Sequence, residues 1–491
     1  MSNLEKYFEK FRENIVGIDQ EFESPFGKQK IVYGDWIASG RLYQPIEEKI
    51  TNELGPFVGN THTETSETGI RMTHAYHRSH ELIKEHVNAG PNDVIITAGS
   101  GMTTVVVKFQ RMLGLKDSSK KSPLISYEDK SDRPVVFITH MEHHSNQTSW
   151  YETNADVVVI EPGEGLLVEP ENLRKELEKY KDRPFKIGSF TACSNVTGVR
   201  TPYFELARIM HEYGGVCFID FAASAPYDEI NMHPDDPMEK LDAVMFSPHK
   251  FLGGPGSSGV LVFDASMYKS EVPDTPGGGT VDWTNPWGNY KYVDDIEERE
   301  DGGTPGFLQS IKAALCFDLK DHMGIGNIKK REKELLTKAF KDLDEINGLN
   351  ILADNVRDRL GVISSYVEGI HYNLLVRLLN DMYGIQTRGG CACAGTYGHF
   401  LLEVSYEQSK EITDKINHGD LSEKPGWIRW SLHPTMTDEE VDLMITALND
   451  IITNIEEYQK NYVYDNHTNS FFHENEKDDT ELMQKWFTLD K

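Results

Sequence analysis

Positive charge, cysteine and long apolar runs are all scarce in this chain. Its 491 residues hold 50 Lys and Arg against 79 Asp and Glu, a formal net charge of −29. A surface so short of cations repels polyanions, which argues against nucleic acid or an anionic membrane as a partner. No run approaches the roughly 18 apolar residues that a membrane span needs; the strand-like stretches are short, such as Val157 to Ile160. The opening MSNLEKYFEKFRENIV is charged and helical in pattern, with no secretory core. Cysteine occurs five times, at Cys193, Cys217, Cys316, Cys391 and Cys393, too sparse for a disulfide framework. These shortages predict a cytoplasmic protein with reduced thiols. Nucleotide signatures are missing too: GSGMT (99–103) lacks the third glycine of GxGxxG, and neither it nor GGPGSSG (253–259) carries a P-loop lysine.

What the chain does have is length and a regular alternation. Its apolar fraction of 38% is ordinary, and at roughly 150 residues per domain it is long enough for two large domains or three smaller ones. DVIITAG (93–99), PVVFITH (134–140), ADVVVIEP (155–162), FKIGSFTACSN (185–195), VCFIDFAAS (216–224), AVMFSPHK (243–250) and GVLVFD (259–264) read as strands separated by helical stretches. Nearly continuous apolar strands alternating with helices predict an α/β fold with a mainly parallel sheet covered on both faces. After a charged helix at about 325–345 the pattern shortens, which suggests a smaller α/β domain. The expected boundaries are 35–305 for the large domain, 1–34 with 306–454 for the small one, and 455–491 as an acidic extension. Gly- and Pro-rich segments at 273–288 and 302–306 separate the domains, and the extension carries nine Asp and Glu against four Lys.

Ligands of open parallel sheets sit beyond the C-terminal strand ends, and polar clusters fall there. Gly99-Ser100-Gly101-Met102-Thr103 opens a helix, so it is either a phosphate cradle or a tight strand–helix turn. Glu142-His143-His144 offers a flat imidazole for stacking or proton transfer, or a surface pair. Asp220 ends an apolar strand, where a carboxylate needs a partner or a capping role; a protonated pyridine nitrogen is one such partner. Lys250 ends another, where desolvation lowers an amine's pKa and prepares it for covalent attack on a carbonyl.

The order of these clusters resembles the class V, fold-type I pyridoxal phosphate enzymes, above all the cysteine desulfurases and selenocysteine lyases. MEHHSN (141–146) is similar to the family's stacking-histidine motif, which implies His143 as the ring-stacker. SNVTG (194–198) is similar to S-N-x-x-G and places Asn195 beside the cofactor. FSPHK (246–250) resembles S-x-H-K, so that Ser247 and His249 would hold phosphate, with Ser100, Gly101 and Thr103, and Lys250 would bond the cofactor covalently. GGTPG (302–306) resembles a segment whose threonine, here Thr304, reaches the phosphate of a neighbouring subunit, which implies a homodimer.

The C-terminal region bears on the reaction. Arg388-Gly389-Gly390-Cys391-Ala392-Cys393 resembles the Arg-x-Gly-x-x-Cys segment of the desulfurases, which makes Cys393 the nucleophile, and its paired cysteines are similar to those of the molybdenum-cofactor sulfurases. A buried pair of small thiols, or a zinc site with His399 that lacks a fourth ligand, are the other readings, and no metal is expected. IRWSLHPT (428–435) resembles the segment whose arginine clamps the substrate carboxylate, here Arg429, with Arg388 beside it. The chain departs from the family at Ala223, where glutamine is usual, at Cys391-Ala392, where histidines are usual, and in an inserted stretch at about 400–425. The resemblance implies a small amino-acid substrate, release of alanine through a Cys393 persulfide and a sulfur-acceptor protein. The alternatives are a class V aminotransferase or epimerase acting on another amino acid without a catalytic cysteine, and a catalytically silent cofactor-binding protein.

Overall fold

The structure is a computed structural model that describes residues 2–116, 132–476 and 480–489. All seven apolar segments of the first half form strands: β1 Asp93–Ala98, β2 Val135–Thr139, β3 Asp156–Ile160, β4 Lys186–Thr191, β5 Val216–Asp220, β6 Ala243–Phe246 and β7 Gly259–Asp264. They share one sheet in the order β1-β7-β6-β5-β4-β2-β3. Strands β2 to β6 run parallel, whereas β7 is antiparallel to both of its neighbours.

Successive side chains of a strand point to opposite faces, so unbroken apolar strands feed two cores. Val136, Ile138 and Phe218 pack with Val105 and Phe109 of the helix Met102–Met112 on one face. Phe137 and Ile219 pack on the other face with Leu206 and Met210 of the helix Tyr203–Glu212. The helix Phe307–Met323 lies along Glu67–His86, and its Phe317 ring meets Phe246 and Phe251.

The long helix Ile325–Leu343 leads to a second sheet of β8 Leu349–Ile351, β9 Val362–Val367, β10 Arg388–Gly390 and β11 Trp427–Ser431, in the order β8-β9-β11-β10 and antiparallel throughout. The first helix, Asn3–Arg12, packs on Ile325–Leu343, and Arg12 grips Glu440 through bonds of 2.8 and 2.7 Å. The separator at 273–288 contains a strand of its own, Val281–Thr284, paired with Tyr290–Tyr292. The inserted stretch holds the helix Tyr406–Asn417, and the C-terminal extension holds a hairpin of Tyr462–Asp465 with Ser470–His473. These two additions meet: Leu421 N–H donates to Asn466 O at 2.9 Å, and His467 Nδ1 lies 2.8 Å from Gly419 O. Among the described residues, no helix is long and apolar enough to cross a membrane.

Candidate active site

The C-terminal ends of β2, β5 and β6 open onto a cavity of about 210 Å³ that the second sheet closes from the other side. Its floor comes from the large sheet. Asp220 is the last residue of β5 and is buried; Ala222 N–H donates to its Oδ1 at 2.8 Å. Burial pushes its carboxyl up to about 6, with the Ala222 bond and nearby Lys250 opposing the rise. Lys250 follows β6 in a single helical turn, Pro248–Lys250. Burial is the main reason that its amine is depressed to about 8; Asp220 opposes, and Arg429 and Arg388 add to the depression. A lysine so placed is partly a free amine at neutral pH.

One end of the floor is built for an anion. The helix Met102–Met112 starts at Gly101 without a side-chain cap, and Met102 N–H donates to Ser247 Oγ at 2.8 Å. A Cβ on Gly101 would stand 3.1 Å from Ser247 Oγ, so glycine keeps the space between helix and strand end open. Thr103, His249 and Ser145 line the same end, with Thr103 Oγ1 2.6 Å from Ser145 Oγ. Burial, then Lys250, lowers His249 to about 4.

His143 caps the helix His144–Tyr151, its Nδ1 accepting from Ser145 N–H at 3.1 Å. With Nδ1 an acceptor, a neutral ring carries its proton on Nε2. Burial and the Lys250 charge lower His143 to about 3, so the imidazole that lines the cavity is neutral. Beneath it, Glu142 is fully buried and raised to about 7 by burial. Its Oε1 accepts from Thr139 Oγ1 at 2.6 Å and Thr191 N–H at 2.9 Å, and its Oε2 from Asn146 Nδ2 at 2.8 Å, which ties the ends of β2 and β4 together.

The opposite wall comes from β10 and β11. Arg388 and Arg429 stand directly opposite each other in register, an arrangement in which like charges repel. Asp35 lies between them: its Oδ2 accepts from Arg388 Nε at 3.0 Å and its Oδ1 from Arg429 at 2.9 Å. Two guanidiniums and one carboxylate leave one positive charge facing the cavity. Arg429 Nε and Asn195 Oδ1 are buried there without a hydrogen-bond partner among the described residues.

Beyond β10, Ala392 and Cys393 both adopt left-handed backbone, with φ of 51° and 57°. Three bonds hold the turn: Asn195 Nδ2 to Ala392 O at 2.8 Å, His144 N–H to Cys393 O at 2.8 Å and Gly395 N–H to His144 Nε2 at 2.9 Å. Cys393 is exposed and lines the cavity. Cys193 lines it as well, but it is buried, its thiol donates to Gly198 O at 3.2 Å, and burial pushes its pKa far up, so it stays protonated.

The cavity thus brings together Thr103, His143, Asn195, Asp220, Ser247, His249, Lys250, Arg388, Cys393 and Arg429. Ser100 and Gly101 are outside the lining, although Gly101 lies against Ser247 and His249. Thr304 is exposed and does not line the cavity of its own chain, and Cys391 is also outside the lining. His399 has both ring nitrogens engaged, with Gly395 O and Ser409 Oγ, and is not free to ligate a metal. Asp35, Glu142 and Cys193 are the participants that residue patterns did not single out. The EHH run drew attention to its histidines, although the glutamate is the most buried of the three.

The residues fit pyridoxal phosphate by the chemistry of the donors: a buried amine, a buried carboxylate, a flat neutral imidazole and a hydroxyl-lined helix start. Ala223 lines the cavity where a glutamine would offer a further donor.

Comparison with known proteins agrees. The family model for Aminotransferase class-V matches residues 32–444. A probable cysteine desulfurase of Halalkalibacterium halodurans is 25% identical over 382 residues, covering 77% of this chain and 86% of that protein. A cysteine desulfurase of Haloferax volcanii is 24% identical, over 79% and 89% of the two chains. In fold, the chain is similar to the apo cysteine desulfurase of Thermococcus onnurineus, with a TM-score of 0.72, 21% identity and coverage of 91% and 98%. It is also similar to the Escherichia coli enzyme in its S-sulfonic acid form, with a TM-score of 0.69, 19% identity and coverage of 92% and 99%.

Proposed function

Because the chain belongs to the class-V aminotransferase family, we propose that it is a pyridoxal phosphate-dependent cysteine desulfurase, also competent with selenocysteine, that releases alanine and leaves the sulfur on Cys393. The observation that carries the reading is the opposition of walls across one cavity: Lys250 and Asp220 on the floor, and an exposed thiol beside a paired arginine clamp on the other side.

Ser247, His249, Thr103 and the start of the helix Met102–Met112, with Ser100 and Gly101, would hold the phosphate, and Asn195 and His143 would flank the ring. When bound, the cofactor supplies an electron sink for the substrate carbanion. Asp220 would keep a proton on the pyridine nitrogen, and its burial makes that interaction strong. Lys250 Nζ, whose amine burial lowers to about 8, would take the proton from substrate Cα. Arg429, with Arg388 beside it, receives the substrate carboxylate on its unpartnered Nε. His143 would stack on the ring, its Nδ1 being held by Ser145 N–H so that the neutral imidazole carries its proton on Nε2. Cys393 thiolate would then attack the substrate Sγ: a bond forms between the two sulfurs, the substrate Cβ–Sγ bond breaks with its electron pair left on the substrate carbon framework, and alanine departs after a proton is added at Cβ and Lys250 returns one to Cα.

Two further parts of the reading concern assembly. Exposed Thr304, remote from its own cavity, suits a homodimer in which it serves the neighbouring subunit, and the free cysteines suit a reducing, cytoplasmic setting. The acceptor of the sulfur is a separate protein or small thiol. The test is to incubate the purified holoenzyme with L-cysteine and, separately, with a panel of other amino acids. The reading expects alanine, sulfide and an added sulfur on Cys393 from cysteine; keto-acid or inverted amino-acid products in the Cys393→Ala variant would replace it with the aminotransferase or epimerase alternative.

A further inference from the structure

The proposed reaction leaves one nearby thiol idle. Cys391 directly follows β10 and precedes Cys393 by two residues, and both cysteines reach solvent, Cys391 half-buried and Cys393 exposed. The left-handed pair Ala392 and Cys393 reverses the chain between them. Ala394 N–H donates to Cys391 O at 3.0 Å, which closes the turn, while the carbonyls of Ala392 and Cys393 are bonded to Asn195 and His144. Cys393 lines the cavity, whereas Cys391 is outside the lining. Gly389, two residues before Cys391, packs on the helix Tyr372–Tyr383, where a Cβ would stand 3.0 Å from the Tyr372 ring.

Tyr372 is where the chain's two additions converge. Its hydroxyl donates to Lys424 O, of the inserted stretch, at 3.2 Å and accepts from Asn469 Nδ2, of the C-terminal hairpin, at 2.7 Å. Asn373 Nδ2 donates to Asn469 O at 2.6 Å, so the hairpin turn is fixed against the same helix. Cys391 thus stands between the cavity mouth and a surface made by both additions.

We propose that Cys391 is a second sulfur carrier, which takes the sulfane sulfur from Cys393 before it leaves the protein. The inference rests on the desulfurase reading above. In the step, Cys391 thiolate attacks the outer sulfur of the Cys393 persulfide; a sulfur–sulfur bond forms at Cys391, the bond from that sulfur to Cys393 Sγ breaks, and Cys393 leaves as a thiolate that takes up a proton. No oxidant or reductant is consumed, because the sulfur only changes carrier. The closed turn keeps the two residues together: positions two apart have Cα atoms at most about 7 Å from each other, and the persulfide extends Cys393 by a bond of about 2.05 Å. The exchange empties the cavity for a second cysteine while the first sulfur waits beside the surface formed by the insertion and hairpin.

The holoenzyme is mixed with excess L-cysteine in a rapid-quench apparatus, without reductant or acceptor, and alanine is counted in the burst. The proposal expects about two alanines per protomer for the native chain and about one for Cys391→Ser, a halved amplitude at an unchanged first-turnover rate. Fragmentation mass spectrometry of the alkylated peptide that spans both cysteines should find added sulfur on Cys391 in the native chain. That second readout decides the matter even if Cys391→Ser folds poorly. A native burst of one alanine with sulfur on Cys393 alone overturns the proposal and leaves the desulfurase reading standing, as does a chain of two sulfurs on Cys393 in both proteins. No alanine from the native chain removes the desulfurase reading and this inference together.

Discussion

The two walls of the cavity are built in opposite ways. On the large-sheet side, Asp220 is buried and Lys250 half-buried, and each stands at or just after the end of a parallel strand whose neighbours fix its position. Their ionisation is adjustable, and burial moves both toward neutrality. On the other side, Arg388 is held by a short antiparallel ladder and Cys393 by a left-handed turn, and the thiol is open to solvent. There the charge is permanent, because guanidinium does not titrate in the working range. A wall whose groups are tuned by burial benefits from rigidity and dryness. A wall that, in the desulfurase reading, passes a sulfur atom to an outside acceptor needs access, and a turn supplies it.

Mutations on each wall should therefore fail differently. The largest loss should come from Lys250→Ala, with turnover down about 10⁴-fold and borohydride no longer fixing the cofactor to the chain, as read by peptide mass mapping. Cys393→Ala should reduce sulfide release from cysteine by about 10³-fold, in the range of an essential nucleophile, yet keep the cofactor's absorption spectrum; a variant that lost both would erase the distinction between the walls. Asp220→Asn should lower kcat about 10²- to 10³-fold, equal to about 2.7–4 kcal/mol of electrostatic stabilisation, with little change in melting temperature. Arg429→Lys keeps the charge but loses the planar fork. KM for cysteine should rise about 10- to 100-fold, the worth of one charge-assisted bond, and kcat should stay nearly constant; steady-state kinetics at saturating cysteine separates the two.

The smallest effect is one of pH. Lys250 is lowered by burial to about 8, so its free-amine fraction grows as pH rises through that value. Uptake of pyridoxal phosphate by the stripped protein should quicken about tenfold between pH 7 and pH 9, measured by stopped-flow absorbance. A rate that is flat across this window would mean that Lys250 is already a free amine at pH 7.

Residue spacing revealed the large-sheet wall well and the other wall poorly. Each polar residue of the first follows an apolar strand, so Asp220, Ser247 and Lys250 announce themselves through the cost of polar groups at such positions. The seven strands were readable for the same reason. The antiparallel direction of β7 was not, since an apolar run is the same in both senses and only the short connection GGPGSSG hinted at a return without a crossover helix. The strand Val281–Thr284 lay hidden in a Gly- and Pro-rich segment taken as a separator. On the other wall, the Arg388–Arg429 pairing and the role of Asp35 depend on contacts between distant parts of the chain, for which no local pattern exists. Cys193 is a related case: nothing in its neighbourhood tells that it lines the cavity, and only its burial shows that its thiol stays protonated there.

The bond from Asp35 to Arg429 joins residues 394 positions apart. During synthesis at about 5–20 residues per second, that gap is roughly 20–80 seconds long. The large-sheet floor is complete only at Asp264, 165 residues before Arg429 (429 − 264), so for roughly the last 8–33 of those seconds the ribosome-bound chain can present the floor, with its amine, while it has no clamp for an amino acid's carboxylate. The enzyme is thus assembled in the order in which its parts are safe: the place for the cofactor first, and the means of using it last.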